Sequence, residues 1–472
     1  MVQMLRILLV TMTLLIKAGL LFSQGFSLKF CGEDYRDQTL ILSHRFGGRF
    51  FSDDTVRTGP DGCARFYSAG VLPEGMYQLV FENKKYIEFF LEGTQDFSIK
   101  LPAGATPDQA RFIGSEANSQ FSEWQRQMSR NQAEMATLQR KLRQPGLPAD
   151  SLAETQAQSD LLQSLIEDLW NKGTTTLAGT LPGDFIRGLR PLALPAELMA
   201  PGSADQPLKQ YLYYTRHFFD QVDLTDARLL RTPLIENKLS QYFKRILTPV
   251  ADSIIQAADQ VISQTGSRGD TYQFVVQYLL NLYSEPEIMG TDAVYVHIAE
   301  NYYLNGKAHW IEEVNLHAIR ERVDDMKPLL IGSPAPPLTN LIRLDNQPFN
   351  LTDIKARFII LYFWEPDCGH CKESTPKLHQ LYGKIRSEGG EVIAINTRLE
   401  TEGWNEFVTE NGLSWINAYS PVNIRQVIDG YQAWSTPKIF VLSGDYHIVA
   451  KDLAVEQVAP LLDHYLKRGD RD

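Results

Sequence analysis

The spacing of hydrophobic and polar positions changes twice along this chain. Apolar residues first come in short alternating runs, at 27–30, 39–42, 49–51, 64–67, 76–81, 86–91 and 97–100. Gly47-Gly48, Pro60-Asp61-Gly62, Pro73-Glu74-Gly75 and Glu82-Asn83-Lys84 separate several of them. Alternating runs bounded by turn residues predict strands, and this many in succession predict a small β-sandwich over 25–114. The period then lengthens. Phe121, Trp124, Met128, Met135, Leu138 and Leu142 recur at helical spacing and predict an amphipathic helix over 119–143. Pro145-Gly146-Leu147-Pro148 ends it, and Asp150 or Ser151 can cap a second helix carrying Leu161, Leu162, Leu165 and Leu169. Further helices are predicted over 207–219, 233–246, 249–263, 271–283, 293–303 and 311–326, so 115–328 reads as all-helical.

A Pro-rich stretch, Ser333-Pro334-Ala335-Pro336-Pro337, marks the second change. Beyond it strands at 338–344, 358–364, 392–396, 438–442 and 446–450 alternate with helices, the last over 455–466. That order predicts an α/β domain over 329–472. The expected fold class is therefore multidomain: an N-terminal β-sandwich, a central all-α domain and a C-terminal α/β domain.

Length and composition agree with several cores. The 472 residues are 43% hydrophobic and 22% charged, ordinary for globular domains. A formal net charge of −11 argues against a nucleic-acid binder, which needs a basic face. Residues 1–24 change the picture of location. Arg6 precedes an apolar stretch over 7–16, and 18–23 offers a cleavage region, which predicts a secretory signal peptide and a periplasmic or secreted chain. Lys17 interrupts the apolar run, so an uncleaved membrane anchor is the lesser reading.

Only four cysteines are present: Cys31, Cys63, Cys368 and Cys371. Cys31 and Cys63 fall in the β-rich segment, either as a structural disulfide or as two free thiols. A zinc site commonly uses two close pairs, and only one exists here, so no metal is expected. The close pair is the candidate chemistry. Cys368-Gly369-His370-Cys371 follows an apolar β-run directly, and a helical pattern follows it from Lys372. A sulfur at a helix start meets unpaired N–H groups and the positive end of the helix dipole, which favour thiolate. Lys372 after Cys371, in place of His, excludes a c-type haem attachment.

Ile331-Gly332-Ser333-Pro334-Ala335-Pro336, Asn350-Leu351-Thr352-Asp353-Ile354 and Tyr362-Phe363-Trp364 before the Cys-x-x-Cys resemble the TlpA/ResA-type branch of thioredoxin-fold thiol–disulfide oxidoreductases. The resemblance covers about residues 329–470 and implies a thioredoxin-like fold. It implies Cys368 as the attacking thiolate and Cys371 as the resolving thiol. Pro376 matches the kink in the family's active-site helix, and Thr436-Pro437 matches its cis-proline loop, which implies substrate binding. Trp364 is implied to pack beneath the motif. His370 and Gly369 resemble the dipeptide of protein disulfide isomerase and imply a potential between roughly −150 and −250 mV. Two departures stand against this. Tyr362 occupies the place of the family's buried carboxylate, with Glu365 as a nearby substitute, and Asp367 brings a negative charge beside Cys368. A peroxiredoxin pattern, Pro-x-x-x-Thr-x-x-Cys, is not matched. The β-rich and helical segments resemble uncharacterised modules that precede thioredoxin-like domains in Bacteroidetes-type secreted proteins.

The expected activity is an extracytoplasmic reductase or isomerase of protein disulfides, with the Cys368–Cys371 pair as its redox group and no other cofactor. Its expected partners are protein thiol or disulfide clients, a redox partner and, in a homo-oligomer, a second copy. The competing reading is a binding or assembly protein whose N-terminal segments carry the function while the pair is regulatory or vestigial.

Overall fold

The computed structural model describes residues 25–199, 204–399 and 402–469. The leader expected at 1–24 lies outside the described residues. By contact the chain groups into two compact units. One runs to Leu247 and takes in Ser263–Tyr272; the other holds Thr248–Ile262 and everything from Gln273.

In the first unit, eight strands form two four-stranded sheets. One contains β1 (Phe26–Gly32), β4 (Cys63–Ser68), β7 (Asp96–Leu101) and β8 (Arg111–Ile113), in the order β4-β1-β7-β8. The other has the order β3-β2-β5-β6, from β2 (Thr39–Phe46), β3 (Arg49–Arg57), β5 (Gly75–Phe81) and β6 (Tyr86–Leu91). Alternate residues of both sheets, among them Phe30, Leu42, Phe66, Leu79, Phe89 and Ile99, share one core. The first sheet is mixed, because β1 runs antiparallel to β4 and parallel to β7. Strand β8 escapes a sequence reading because three residues are too few to show alternation. Cys31 and Cys63 are direct cross-strand neighbours and are bridged, with Cα atoms 4.1 Å apart.

Two long helices follow, α1 (Glu116–Leu142) and α2 (Ala149–Thr176), separated by a turn in which Gly146 takes φ 81°. Phe121, Trp124, Met128 and Met135 of α1 are buried, and the Trp124 indole N–H donates to the Leu169 carbonyl at 3.1 Å. In α2 the buried stripe is Leu162, Ile166, Leu169, Trp170 and Gly173. Leu161 and Leu165, on the same helix, are 65% and 47% exposed. They precede Leu162 and Ile166 by one residue, which turns them about 100° away from the contact face. Shorter α-helices follow in this unit, α3 (Leu181–Leu189), α4 (Ala196–Met199), α5 (Gln206–His217) and α6 (Leu234–Gln241).

The second unit begins with α7 (Ala251–Gln264), α8 (Asp270–Leu282), α9 (Asp292–Ile298) and α10 (Glu313–Met326), the first two of which lend a few residues to the first unit. The helical stretch expected as one block over 115–328 is thus shared between the units. The reason lies in side chains that tie its later half to the C-terminal sheet. Lys451 and Asp292 form a buried ion pair, the Lys451 backbone N–H donates to Met289 Sδ, and the Gln432 amide donates to the Asp325 carbonyl.

That sheet has seven strands in the order β10-β9-β13-β12-β11-β14-β15. They are β9 (Leu341–Arg343), β10 (Pro348–Phe349), β11 (Phe358–Trp364), β12 (Gly390–Asn396), β13 (Ile416–Tyr419), β14 (Lys438–Ser443) and β15 (Ile448–Lys451). At its centre β11 runs parallel to β12 and antiparallel to β14. All seven of its residues are buried. Phe358, Ile360, Tyr362 and Trp364 face one core and Ile359, Leu361 and Phe363 the other. A strand covered on both faces reads as a continuous apolar run. Gly390 lies opposite Phe358, where an added Cβ would come within 2.3 Å of the ring, so only glycine fits. Helices α11 (Gly369–Ser387), α12 (Glu402–Glu410), α13 (Ile424–Gly430) and α14 (Val455–Gly469) accompany the sheet.

Removing the bridge with Cys31→Ser/Cys63→Ser frees a closure spanning 32 positions. This loss is expected to destabilise the N-terminal sheets by about 2–4 kcal/mol, read as faster hydrogen exchange at β1 and β4 amides. Unchanged protection there would show that the two strands hold without the bond.

Candidate active site

Strand β11 ends at Trp364, a short loop follows, and α11 begins at Gly369. Cys368 is the N-cap of α11, and its Sγ accepts from the Cys371 backbone N–H at 3.3 Å. The sulfur therefore occupies the place usually taken by a Ser or Asp oxygen and satisfies one of the helix's unpaired donors. Cys371 lies one turn on, in the stripe Cys371, Leu378 and Ile385 that packs α11 onto the sheet. That spacing of seven explains why Cys371 is wholly buried while Cys368, outside the helix proper, is half-buried. Both are free thiols.

The environment drives the two sulfurs apart. Partial burial pushes the Cys368 pKa up. Hydrogen bonds from the Cys371 thiol, the Thr436 side chain and the Cys371 and His370 backbone N–H groups outweigh it, so Cys368 lies below the ordinary thiol value. Burial raises Cys371, and its bond to Cys368 raises it further. The Thr436–Pro437 peptide is cis, and the Thr436 carbonyl oxygen lies 3.2 Å from Cys368 Sγ, where it accepts from the thiol form. A half-exposed acidic thiol thus sits beside a walled-off basic one, the asymmetry that thiol–disulfide exchange needs.

Residues 331–451 match the AhpC/TSA family, and residues 194–328 match a domain of unknown function (DUF5106). Residues 331–451 are a thioredoxin-like AhpC/TSA domain. The thiol–disulfide oxidoreductase ResA of Bacillus thuringiensis (strain Al Hakam) is 28% identical over 147 residues, which are 30% of this chain and 81% of that protein. A solved domain of a possible thiol-disulfide isomerase from Cytophaga hutchinsonii ATCC 33406 is 32% identical. It covers 31% of this chain and 99% of its own, with a TM-score of 0.29. A thioredoxin-like protein from Bacteroides caccae ATCC 43185 is 17% identical, covering 58% of this chain and 97% of its own, with a TM-score of 0.45. The AhpC/TSA domain is of the thiol–disulfide oxidoreductase class.

Within the AhpC/TSA domain the other expected residues take distinct places. Trp364 is fully buried and stacks on Tyr362, beneath the motif. Tyr362 is held neutral, its pKa raised by burial, and its hydroxyl pairs with Thr375 at 2.8 Å. Pro376 lies inside α11. Gly369 and His370 are exposed on the first turn, and an added Cβ at Gly369 would meet nothing. His370 reaches the Cys368 sulfur through its backbone N–H.

Glu365 and Asp367 are engaged by a residue the sequence reading passed over. Arg398 Nε donates to Glu365 at 2.9 Å and Nη1 donates to Asp367 at 2.8 Å, while the Thr397 hydroxyl donates to Glu365 at 2.7 Å. Both Glu365 oxygens are therefore engaged, and the Asp367 carboxylate is paired with the same guanidinium. Arg398 follows β12 by two residues, and β12 lies against β11 with Asn396 opposite Trp364. The signal was Thr397-Arg398 after the apolar run 392–396, visible only once that run is known to neighbour β11.

Arg398→Ala exposes Cys368 to two uncompensated carboxylates, so its pKa is expected to rise. Iodoacetamide alkylation of Cys368 then needs higher pH to reach half its maximal rate. A superimposable pH–rate curve would assign Arg398 no part in tuning the thiol.

Proposed function

We propose that this chain is an extracytoplasmic thiol–disulfide oxidoreductase acting on protein disulfides through Cys368 and Cys371. The carrying observation is geometric: Cys368 Sγ caps α11 beside the Thr436 carbonyl, while Cys371, one turn on, is wholly buried. The Cys368 thiolate attacks a client disulfide. A Cys368–client bond forms, the client S–S bond breaks, and one client sulfur leaves as a thiolate that takes up a proton. Cys371 then gives up its proton and attacks Cys368, releasing the second client sulfur and leaving a Cys368–Cys371 disulfide. Two electrons and two protons have passed to the client, and a dithiol donor returns them. The pair is the redox group, and the activity needs no metal or organic cofactor.

The extracytoplasmic location draws on the apolar N-terminal stretch and on the Cys31–Cys63 bridge, a bond that persists in oxidising compartments. We read the two N-terminal sheets as a sandwich module and 115–328 as a helical module, which restrict clients or join two copies. The two family matches meet at 328 and 331, where the Pro-rich segment begins, in keeping with a module boundary there.

Cys368→Ser should abolish insulin reduction by the purified chain, and Cys371→Ser should accumulate mixed disulfides with clients on non-reducing gels. Full activity in Cys368→Ser would overturn the proposal in favour of the assembly reading. The potential of the pair, titrated against glutathione, is expected between roughly −150 and −250 mV. A value near that of thioredoxin, about −270 mV, would show that His370 does not tune it.

A further inference from the structure

A cleft of about 700 Å³ opens on the second unit beside the redox site. One wall is the 284–292 loop with Arg322 and Asp325 of α10; the other is Gln432, Trp434 and the chain leaving β15. Trp434 is 64% exposed, its indole N–H held by Asp429 at 3.0 Å. It precedes Thr436 by two residues, a reach of about 7 Å along the chain. The Thr436 carbonyl is 3.2 Å from Cys368 Sγ. The rim of the cleft is thus a step or two of polypeptide from the reactive sulfur.

The cleft is acidic, and its own cations are already in use. Arg322 donates to the Ser284 carbonyl and lies over the Tyr295 ring, and Lys451 is paired with Asp292. Asp452 is bound by Lys438. Glu285, Glu287 and Asp325 have no cationic partner among the described residues. Asp292 is 3% exposed, lines the cleft, and its Oδ1 has no hydrogen-bond partner among the described residues. The walls are built in advance, since the Met289, Asp325 and Asp292 ties fix the loop and α10 to the sheet.

We propose that this cleft docks the client, and that its occupant is an extended, Lys- or Arg-bearing stretch of polypeptide flanking the client's cysteine. An exposed indole at the mouth suits an apolar or cationic side chain, and an acidic field beyond it suits positive charge. The helical segment before the AhpC/TSA domain would then select clients by charge. The identity of the occupant as a redox client rests on the function proposed above; the charge preference does not.

The test uses the full chain with Cys368→Ser/Cys371→Ser and fluorescein-labelled peptides whose cysteine is replaced by serine. Fluorescence anisotropy should give a Lys/Arg-flanked peptide about tenfold tighter binding than a Glu-flanked one, a preference that weakens with salt. Glu285→Lys/Glu287→Lys, exposed loop changes, should abolish the preference, and Trp434→Ala should weaken both peptides. Equal binding of the two peptides, or a preference that survives the charge reversal, overturns the proposal. Insulin reduction by the unmutated chain reports separately. A charge preference without that activity supports the docking surface while removing the redox reading, and activity without a preference does the reverse.

Discussion

A sulfur in the position of a helix cap is the interaction on which the C-terminal domain turns. The first turn of any α-helix carries N–H groups with no partner inside the helix, and here a cysteine side chain receives one of them. What would be a routine local bond becomes chemical, because a thiol that accepts such bonds is more easily ionised. The second sulfur feels the opposite influence for a packing reason. It belongs to the stripe that seals α11 against the sheet, where no water stabilises charge. Reactivity and burial are thus divided between two residues by where the helix starts.

Holding that start in place takes most of the surrounding structure. Strand β11 is buried on both faces and delivers the loop at a fixed height above the sheet. The parallel neighbour β12 brings Arg398 to the same end, where one guanidinium spans Glu365 and Asp367. Without it, two carboxylates within three residues of Cys368 would work against ionisation. The opposing wall comes from the chain entering β14, whose Thr436 presents both its carbonyl and its hydroxyl to the sulfur. Four elements separated by as many as 68 residues therefore converge on one atom.

The buried Asp292–Lys451 pair shows how the helical segment is bound to this domain. A lone charge at either position would be strongly unfavourable, and each is tolerated only with the other. Such a pair specifies one docking geometry more than it adds stability, and Asp292 lines the cleft whose rim carries Trp434. Under the docking proposed above, the 284–292 loop is part of the surface that a client meets.

The strand, the Cys-x-x-Cys and the helix were legible from residues 358–386 alone, because period, turn residues and capping act over a few positions. The change from alternating to helical spacing near 115 was legible for the same reason. The same local pattern left the Cys31–Cys63 question open, since two cysteines bond only if pairing of β1 and β4 sets them opposite. It listed Leu161, Leu162, Leu165 and Leu169 without dividing them, and the contact face of α2, chosen by its partners, leaves Leu161 and Leu165 about 100° away. It passed over Arg398 and the acidic cleft altogether, since nothing near them in sequence marks a site. Local periodicity determines which elements form. Which side chains then meet is decided by neighbours far along the chain, through burial and charge that exist only after the sheet is assembled.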